Sequence, residues 1–254
     1  MKMREIFFEV HSNLPRAGPG SNESTDRAFK SLKNLPAKPR ILDIGCGPGM
    51  QTIELAKLSG GQIEALDNHQ PFLDQLNLNA KKEGLSDRIK TVNGDMFNLN
   101  YAKESFDIIW CEGAIFIIGF EKGLTEWRPL LVNNGYLVLS ELSWLNKDAP
   151  KELKSFMKEM YAEMECSGPK GIDENTETAN KLGFHVLNSF TIPKKDWWDN
   201  YYSPIEAKLP SLKAKYRDAP EALQFFDSHF EMEIEMYRKY SDYYGYVFYV
   251  LQKV

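Results

Sequence analysis

The chain lacks most of what would tie it to a membrane, a disulfide scaffold or a nucleic acid. Nowhere in its 254 residues does an apolar run approach the ~20 residues that cross a bilayer. Met1–Pro15 mixes charged and apolar residues, without the uninterrupted apolar stretch of a secretory signal. Cysteine is scarce: three, with no paired spacing, which fits a reducing compartment and offers no zinc motif. The four histidines are scattered, and none forms a ligand cluster. Lysine and arginine are outnumbered by carboxylates, 31 to 36, and occur singly, so no basic stripe for DNA or RNA is expected. These absences lead to the expectation of a cytoplasmic globular protein with no metal, membrane or nucleic-acid partner. The 43% hydrophobic content is ordinary for such a protein, and the length is enough for a full core.

What is present is an alternation of strands and helices. After a short apolar patch (Ile6, Phe7, Phe8, Val10) comes a Gly- and Pro-rich flap, Arg16-Ala17-Gly18-Pro19-Gly20-Ser21. A helix is expected from about Ser24, with Phe29, Leu32 and Leu35 on one face, stopped by Pro36 and Pro39. From Arg40 the pattern gives strand Ile41–Ile44, a helix to Gly60-Gly61, strand Gln62–Leu66, a helix opening near Pro71, and strand Ile89–Val92. Strand Phe106–Trp110, a helix carrying Phe120, Leu124, Trp127 and Leu131, and strand Tyr136–Leu139 follow. Such alternation implies a parallel sheet covered on both faces. Lys151–Glu165 is an amphipathic helix whose Leu153, Phe156, Met157, Met160, Tyr161 and Met164 stripe reads as core. A short helix ending at Gly183, strand Phe184–Phe190, an aromatic helical stretch from Asp196 to Tyr244 and a final strand, Tyr246–Leu251, complete the chain. No boundary is polar enough for a linker. One domain, 1–254, is expected: an N-terminal flap and helix (1–39), a ligand-binding half (40–144) and an elaborated half (145–254).

The strand–turn–helix at Ile41–Leu58 carries the strongest chemical signal. Gly45, Gly47 and Gly49 permit sharp turning and close backbone approach, and the helix behind them, with Thr52 in its first turn, offers free N–H groups. Asp67 ends the next strand, close to the spacing at which an acid meets a ribose hydroxyl, with Asn68 beside it. Together they indicate a nucleotide-like cofactor. The glycines run GxGxG, against the GxGxxG of dinucleotide sites.

Leu42-Asp43-Ile44-Gly45-Cys46-Gly47-Pro48-Gly49 resembles the first motif of class I S-adenosylmethionine-dependent methyltransferases, and the likeness continues in order to about Ser143. Asp67 matches that family's ribose-binding acid. Gly94-Asp95-Met96 resembles its adenine-side turn, Phe106–Trp110 its fourth strand and Gly135–Leu139 its fifth. The flap and Trp110–Ile115 are similar to a set of bacterial small-molecule methyltransferases of unassigned substrate, in which the flap lies against the cofactor. The resemblance implies an α/β, Rossmann-like, seven-stranded and mostly parallel sheet with an antiparallel last strand, helices on both faces and a helical, aromatic lid before that strand. It implies S-adenosyl-L-methionine as cofactor, S-adenosyl-L-homocysteine as product, and a cofactor site drawn from Arg16, Gly45, Cys46, Gly47, Gly49, Thr52, Asp67, Asn68, Gly94, Asp95, Met96 and Glu112.

Methyl transfer requires in-line positioning and, for some nucleophiles, removal of a proton. Glu112 and Glu141, at the carboxyl ends of middle strands, are the candidate catalytic carboxylates. Glu112→Gln is then expected to spare cofactor binding and depress turnover. Trp144, Trp198, Tyr201 and Tyr202 are candidates for an aromatic acceptor pocket. Cys46 and Cys111 read as packing residues, His69 as a flank of the ribose pocket, and His11, His185 and His229 as surface or packing residues. The leading function is methyl transfer to a small molecule. A catalytically idle S-adenosylmethionine-binding or sensing protein and a nicotinamide-dependent oxidoreductase are the alternatives.

Overall fold

The computed structural model describes residues 3–254. Met1 and Lys2, part of the expected N-terminal segment and of the expected 1–254 unit, lie outside the described residues. A sheet of eight strands runs in the order β3-β2-β1-β4-β5-β8-β7, with β1 (Arg40–Ile44), β2 (Gln62–Asp67), β3 (Ile89–Asn93), β4 (Phe106–Glu112), β5 (Leu131–Trp144), β7 (Phe184–Thr191) and β8 (Tyr244–Lys253). The first five are parallel; β8 inserts antiparallel between β5 and β7. The eighth strand, β6 (Lys170–Gly171), pairs only with Ser143 and Trp144, where β5 outruns β4. Its two residues carry no hydrophobic pattern that the sequence could reveal.

Both sheet faces are buried, and side-chain alternation along each strand divides the core in two. Ile108 and Trp110 face one cluster while Ile109 and Cys111 face the other. On the first face lie α3 (Met50–Ser59) and α4 (Gln70–Lys82), through residues such as Leu55 and Leu76. On the second lie α5 (Phe120–Trp127) and α7 (Ile172–Lys181), through Leu124, Trp127 and Ala179. Among the described residues, no helix is long and apolar enough to cross a membrane.

Besides the eighth strand, where seven were expected, the structure differs from the sequence reading in three places. The apolar patch near the N-terminus is a helix, α1 (Met3–His11), with Ile6 and Val10 buried one turn apart. Its last carbonyls are capped from a distance: Lys208 Nζ donates to the carbonyls of Glu9 (2.6 Å), Val10 (3.0 Å) and Ser12 (2.8 Å). The next helix, α2 (Asn22–Phe29), is shorter than expected and ends before Leu32 and Leu35. It begins at Ser21, whose hydroxyl accepts from the Ser24 amide. Leu131 belongs to β5 and not to the helix before it.

The elaborated half supplies α6 (Lys151–Glu163) and two long interrupted helices. One runs from α8 (Lys194–Trp197) through a π turn at Trp198–Tyr202 into α9 (Ser203–Lys215). The other runs from α10 (Pro220–Phe225) through a π turn at Phe226–Glu231 into α11 (Met232–Tyr240). A π turn rotates the side chains that follow it relative to an unbroken α-helix. Both turns border the same cavity.

Candidate active site

The strand order reverses between β1 and β4, and a cavity of about 450 Å³ opens over their carboxyl ends, where open α/β sheets gather ligands. Its floor is the turn after β1. The amides of Gly45 and Cys46 donate to Leu66 O (2.8 and 3.0 Å), stitching this turn to the end of β2. Gly45 has φ +72°, and a Cβ there would stand 2.6 Å from the Ala114 methyl carbon, so only glycine fits. Gly49, with φ +88°, begins α3 so close to Leu76 that a Cβ would lie 2.3 Å from its Cδ1.

Asp67 meets the turn from the end of β2. Its Oδ2 accepts from the Gly47 amide (2.9 Å) and its Oδ1 from the His69 amide (2.8 Å). Burial raises this carboxyl above its ordinary range, and the two amides pull the other way. Each oxygen retains a lone pair for a ligand hydroxyl. Asn68, Gly94, Asp95 and Met96 line the same end of the cavity, with Asp95 exposed at its rim. Cys46 also lines the wall; burial pushes its thiol well above the usual value, which leaves it unsuited to nucleophilic work. Cys111 is likewise buried and pushed up.

Gly49 and Thr52, expected at the cofactor, do not reach the cavity. Thr52 is fully buried and donates to Asp43 Oδ2 (2.6 Å), bracing α3 against β1 from beneath. Burial pushes the Asp43 carboxyl up to about 7.

The flap closes the cavity from above, with Arg16, Ala17, Gly18 and Pro19 in its wall. Arg16 Nη1 donates to Glu112 Oε2 at 2.5 Å, and the two side chains are 3% and 4% exposed. Glu112 Oε1 accepts from Thr25 Oγ1 (2.7 Å) and Trp110 Nε1 (2.8 Å). Glu112 lines the cavity, but both of its carboxyl oxygens are engaged by protein donors. With three donors, one of them a buried guanidinium, it is a clamp that holds the flap on β4. Glu141 does not line the cavity. It is buried on β5, one carboxyl oxygen has no partner, and burial pushes it up to about 8, so it holds its proton at neutral pH.

A second set of bonds ties the flap to the lid. Ser21 and Ser24 hydroxyls donate to Asp196 Oδ2 (2.7 and 2.5 Å), the Gly20 amide donates to Asp196 O (3.3 Å), and Asn200 Nδ2 donates to Gly20 O (2.8 Å).

Beyond the flap the cavity widens into an aromatic and thioether chamber. Tyr201 and Tyr202 line it, as expected of the lid, but Trp144 and Trp198 do not. Trp144 sits half-buried at the end of β5, paired with β6 and β8. Trp198 points outward beneath the Arg238 guanidinium, 5.0 Å from its ring centroid. The indole at the cavity is Trp197, stacked between Tyr237 (4.3 Å) and Tyr246 (5.1 Å). The Phe156, Met157, Met160, Tyr161 and Met164 stripe of α6 completes the chamber instead of lying wholly in the core. Arg4, Phe7 and Phe8 of α1 join the wall at the cofactor end, with Phe8 stacked on His69 at 3.6 Å. His11 packs inside, held near 4 by burial. His229 and Glu233 also line the cavity; neither carries a local sequence signature, since the π turn before α11 decides where they face.

Residues 41–135 match the family described as "Methyltransferase domain". A sterol 24-C-methyltransferase of Gibberella zeae is 31% identical over half of this chain, which spans 35% of that relative's length. A protein of Haemophilus influenzae is 25% identical, covering 82% of this chain and 87% of its own. Among solved structures, an S-adenosylmethionine-dependent methyltransferase from Thiobacillus denitrificans, crystallised with S-adenosyl-L-homocysteine, superposes over the whole of both chains. Its TM-score is 0.81 at 20% identity. Fold and turn point the same way: residues 41–135 match a methyltransferase domain, set in a fold shared with S-adenosylmethionine-dependent methyltransferases.

Proposed function

We propose that the cavity binds S-adenosyl-L-methionine and that the protein transfers its methyl group to a small acceptor held in the aromatic chamber. The observation that carries this reading is one continuous cavity that joins the Gly45–Gly47 turn and Asp67 to the chamber of Tyr201, Tyr202 and Trp197. The site also has an unmet need that fits the cofactor. Arg16 Nε is buried at the wall without a partner, and the carboxylate of a bound amino acid moiety would satisfy it. Asp67 would take the ribose hydroxyls, and Asp95 with Met96 would flank the base.

When bound, the cofactor supplies a methyl group already activated on a sulfonium. The chain's own contribution is positioning and exclusion of water. Arg16 and Glu112 hold the flap over the cofactor end. Asp196, through Ser21 and Ser24, couples that flap to the lid, so an ordered flap and an ordered chamber accompany each other.

Calorimetric titration with S-adenosyl-L-homocysteine and with oxidised and reduced nicotinamide dinucleotides tests the reading. S-adenosyl-L-homocysteine should bind with one-to-one stoichiometry and the dinucleotides should not. Asp67→Ala should weaken product binding about 10–100-fold, the range for losing a charge-assisted hydrogen bond. Preferential dinucleotide binding would refute the proposal.

A further inference from the structure

The acceptor chamber contains one carboxylate that the residues around it leave without a counter-charge. Glu233, in the first turn of α11, lines the cavity and accepts at Oε1 from the Tyr202 hydroxyl (2.8 Å). Among the described residues, no lysine, arginine or histidine forms an ion pair with it, whereas Glu112 at the cofactor end has Arg16. Without a cation beside it, burial pushes the Glu233 carboxyl up to about 7, a cost that an incoming ammonium would relieve. Burial first, with a smaller contribution from the Glu233 carboxylate, raises the phenols of Tyr201, Tyr202, Tyr244 and Tyr246, so all four remain neutral. Histidine offers no compensation, because burial lowers the His229 imidazole below its ordinary value.

A second group points the same way. Tyr244 is 2% exposed, lines the cavity, and its hydroxyl has no hydrogen-bond partner. A buried hydroxyl without a partner is costly unless a ligand completes it. Around these two groups the wall is aromatic and thioether. Tyrosine faces attract cations, and methionine and tryptophan side chains suit an apolar body. A carboxylate without a protein cation, beside an unsatisfied hydroxyl and within aromatic rings, is complementary to a ligand ammonium.

We propose that the acceptor carries a basic nitrogen on an apolar body, and that Glu233 binds this nitrogen as an ammonium, with Tyr244 as its second polar contact. This rests on the reading of the chamber as the acceptor site. Trp197 Nε1, also buried at the wall without a partner, supplies one donor for an acceptor atom elsewhere on the same molecule.

The test is ligand-observed NMR and calorimetry on the full chain saturated with S-adenosyl-L-homocysteine. The probes are matched sets sharing one carbon skeleton, such as 2-phenylethylamine, 2-phenylethanol and ethylbenzene, extended to bicyclic and branched aliphatic sets. Amines should bind at least tenfold tighter than their alcohol and hydrocarbon partners, and Glu233→Gln should abolish that advantage. Unchanged S-adenosyl-L-homocysteine affinity establishes that the variant is folded, and Tyr244→Phe serves as a second variant that should reduce the advantage without removing it. Matched sets that bind alike, or an amine advantage that survives Glu233→Gln, would overturn the assignment. Failure of S-adenosyl-L-homocysteine to bind would instead count against the methyl-donor reading, so the two can fail separately.

Discussion

Replacing Glu112 with glutamine separates a clamp from a catalytic base. The substitution keeps the side chain's shape and leaves an oxygen for Thr25 and Trp110, but removes the charge facing Arg16. That guanidinium is 3% exposed and cannot recover its hydration in place. Leaving one member of a buried pair unmatched costs about 3–5 kcal/mol. At about 2–4 °C per kcal/mol for a domain of this size, the melting temperature should fall by roughly 6–20 °C. The flap could swing out to relieve the strain, but its bonds to Asp196 and Asn200 oppose that. A double-mutant cycle with Arg16→Met resolves the pair: the double variant should be more stable than the sum of the single losses predicts, by about 2 kcal/mol or more. Titration of S-adenosyl-L-homocysteine should give about tenfold weaker binding to Glu112→Gln, since Arg16 and the flap are no longer held. Additive single-variant losses within about 0.5 kcal/mol, with intact product affinity and lost turnover, would refute the clamp and restore Glu112 as the base.

Burial holds Glu141 near 8 in the folded protein against an ordinary 4.5. The folded state therefore retains a proton that the unfolded chain releases between those values, and stability should fall as pH rises through that window. Glu141→Gln should remove this slope, gaining up to about 4 kcal/mol on the parent at pH 9 relative to pH 5 in urea titrations; parallel pH profiles would contradict the assignment. Lys208→Met should free the last carbonyls of α1, so hydrogen exchange over residues 3–14 should accelerate and product affinity should drop, because Phe7 and Phe8 line the cavity. Trp197→Ala should cost about 3–5 kcal/mol and open the chamber. Trp198→Ala, by contrast, should leave ligand binding unchanged, and equal effects of the two on binding would remove Trp197 from the cavity wall.

Much of the cofactor end was legible in the sequence because its information is local. Gly45, Gly47 and Asp67 follow a strand–turn–helix–strand order in which each residue's place is fixed by its distance along the chain, and the β1–β2 pairing brings that order together without help from afar. The register of the motif also marked Gly49 and Thr52. Their position beneath the turn follows from packing against Leu76 and Asp43, which spacing does not encode. The Met and aromatic stripe of α6 was legible as an apolar face, but a periodic pattern cannot distinguish a face against the core from a face against a cavity.

The parallel sheet, the glycine turn and the acid that faces it follow from local pattern, since hydrophobic periodicity and backbone freedom act over a few residues. The far side of the cavity follows from long-range packing. That packing made Glu112 a clamp by bringing Arg16 across 96 positions, turned Trp197 inward and Trp198 outward, and set Glu233 and Tyr244 in one chamber. Those outcomes depend on π turns and long-range packing, whose geometry is fixed only when the whole fold has closed.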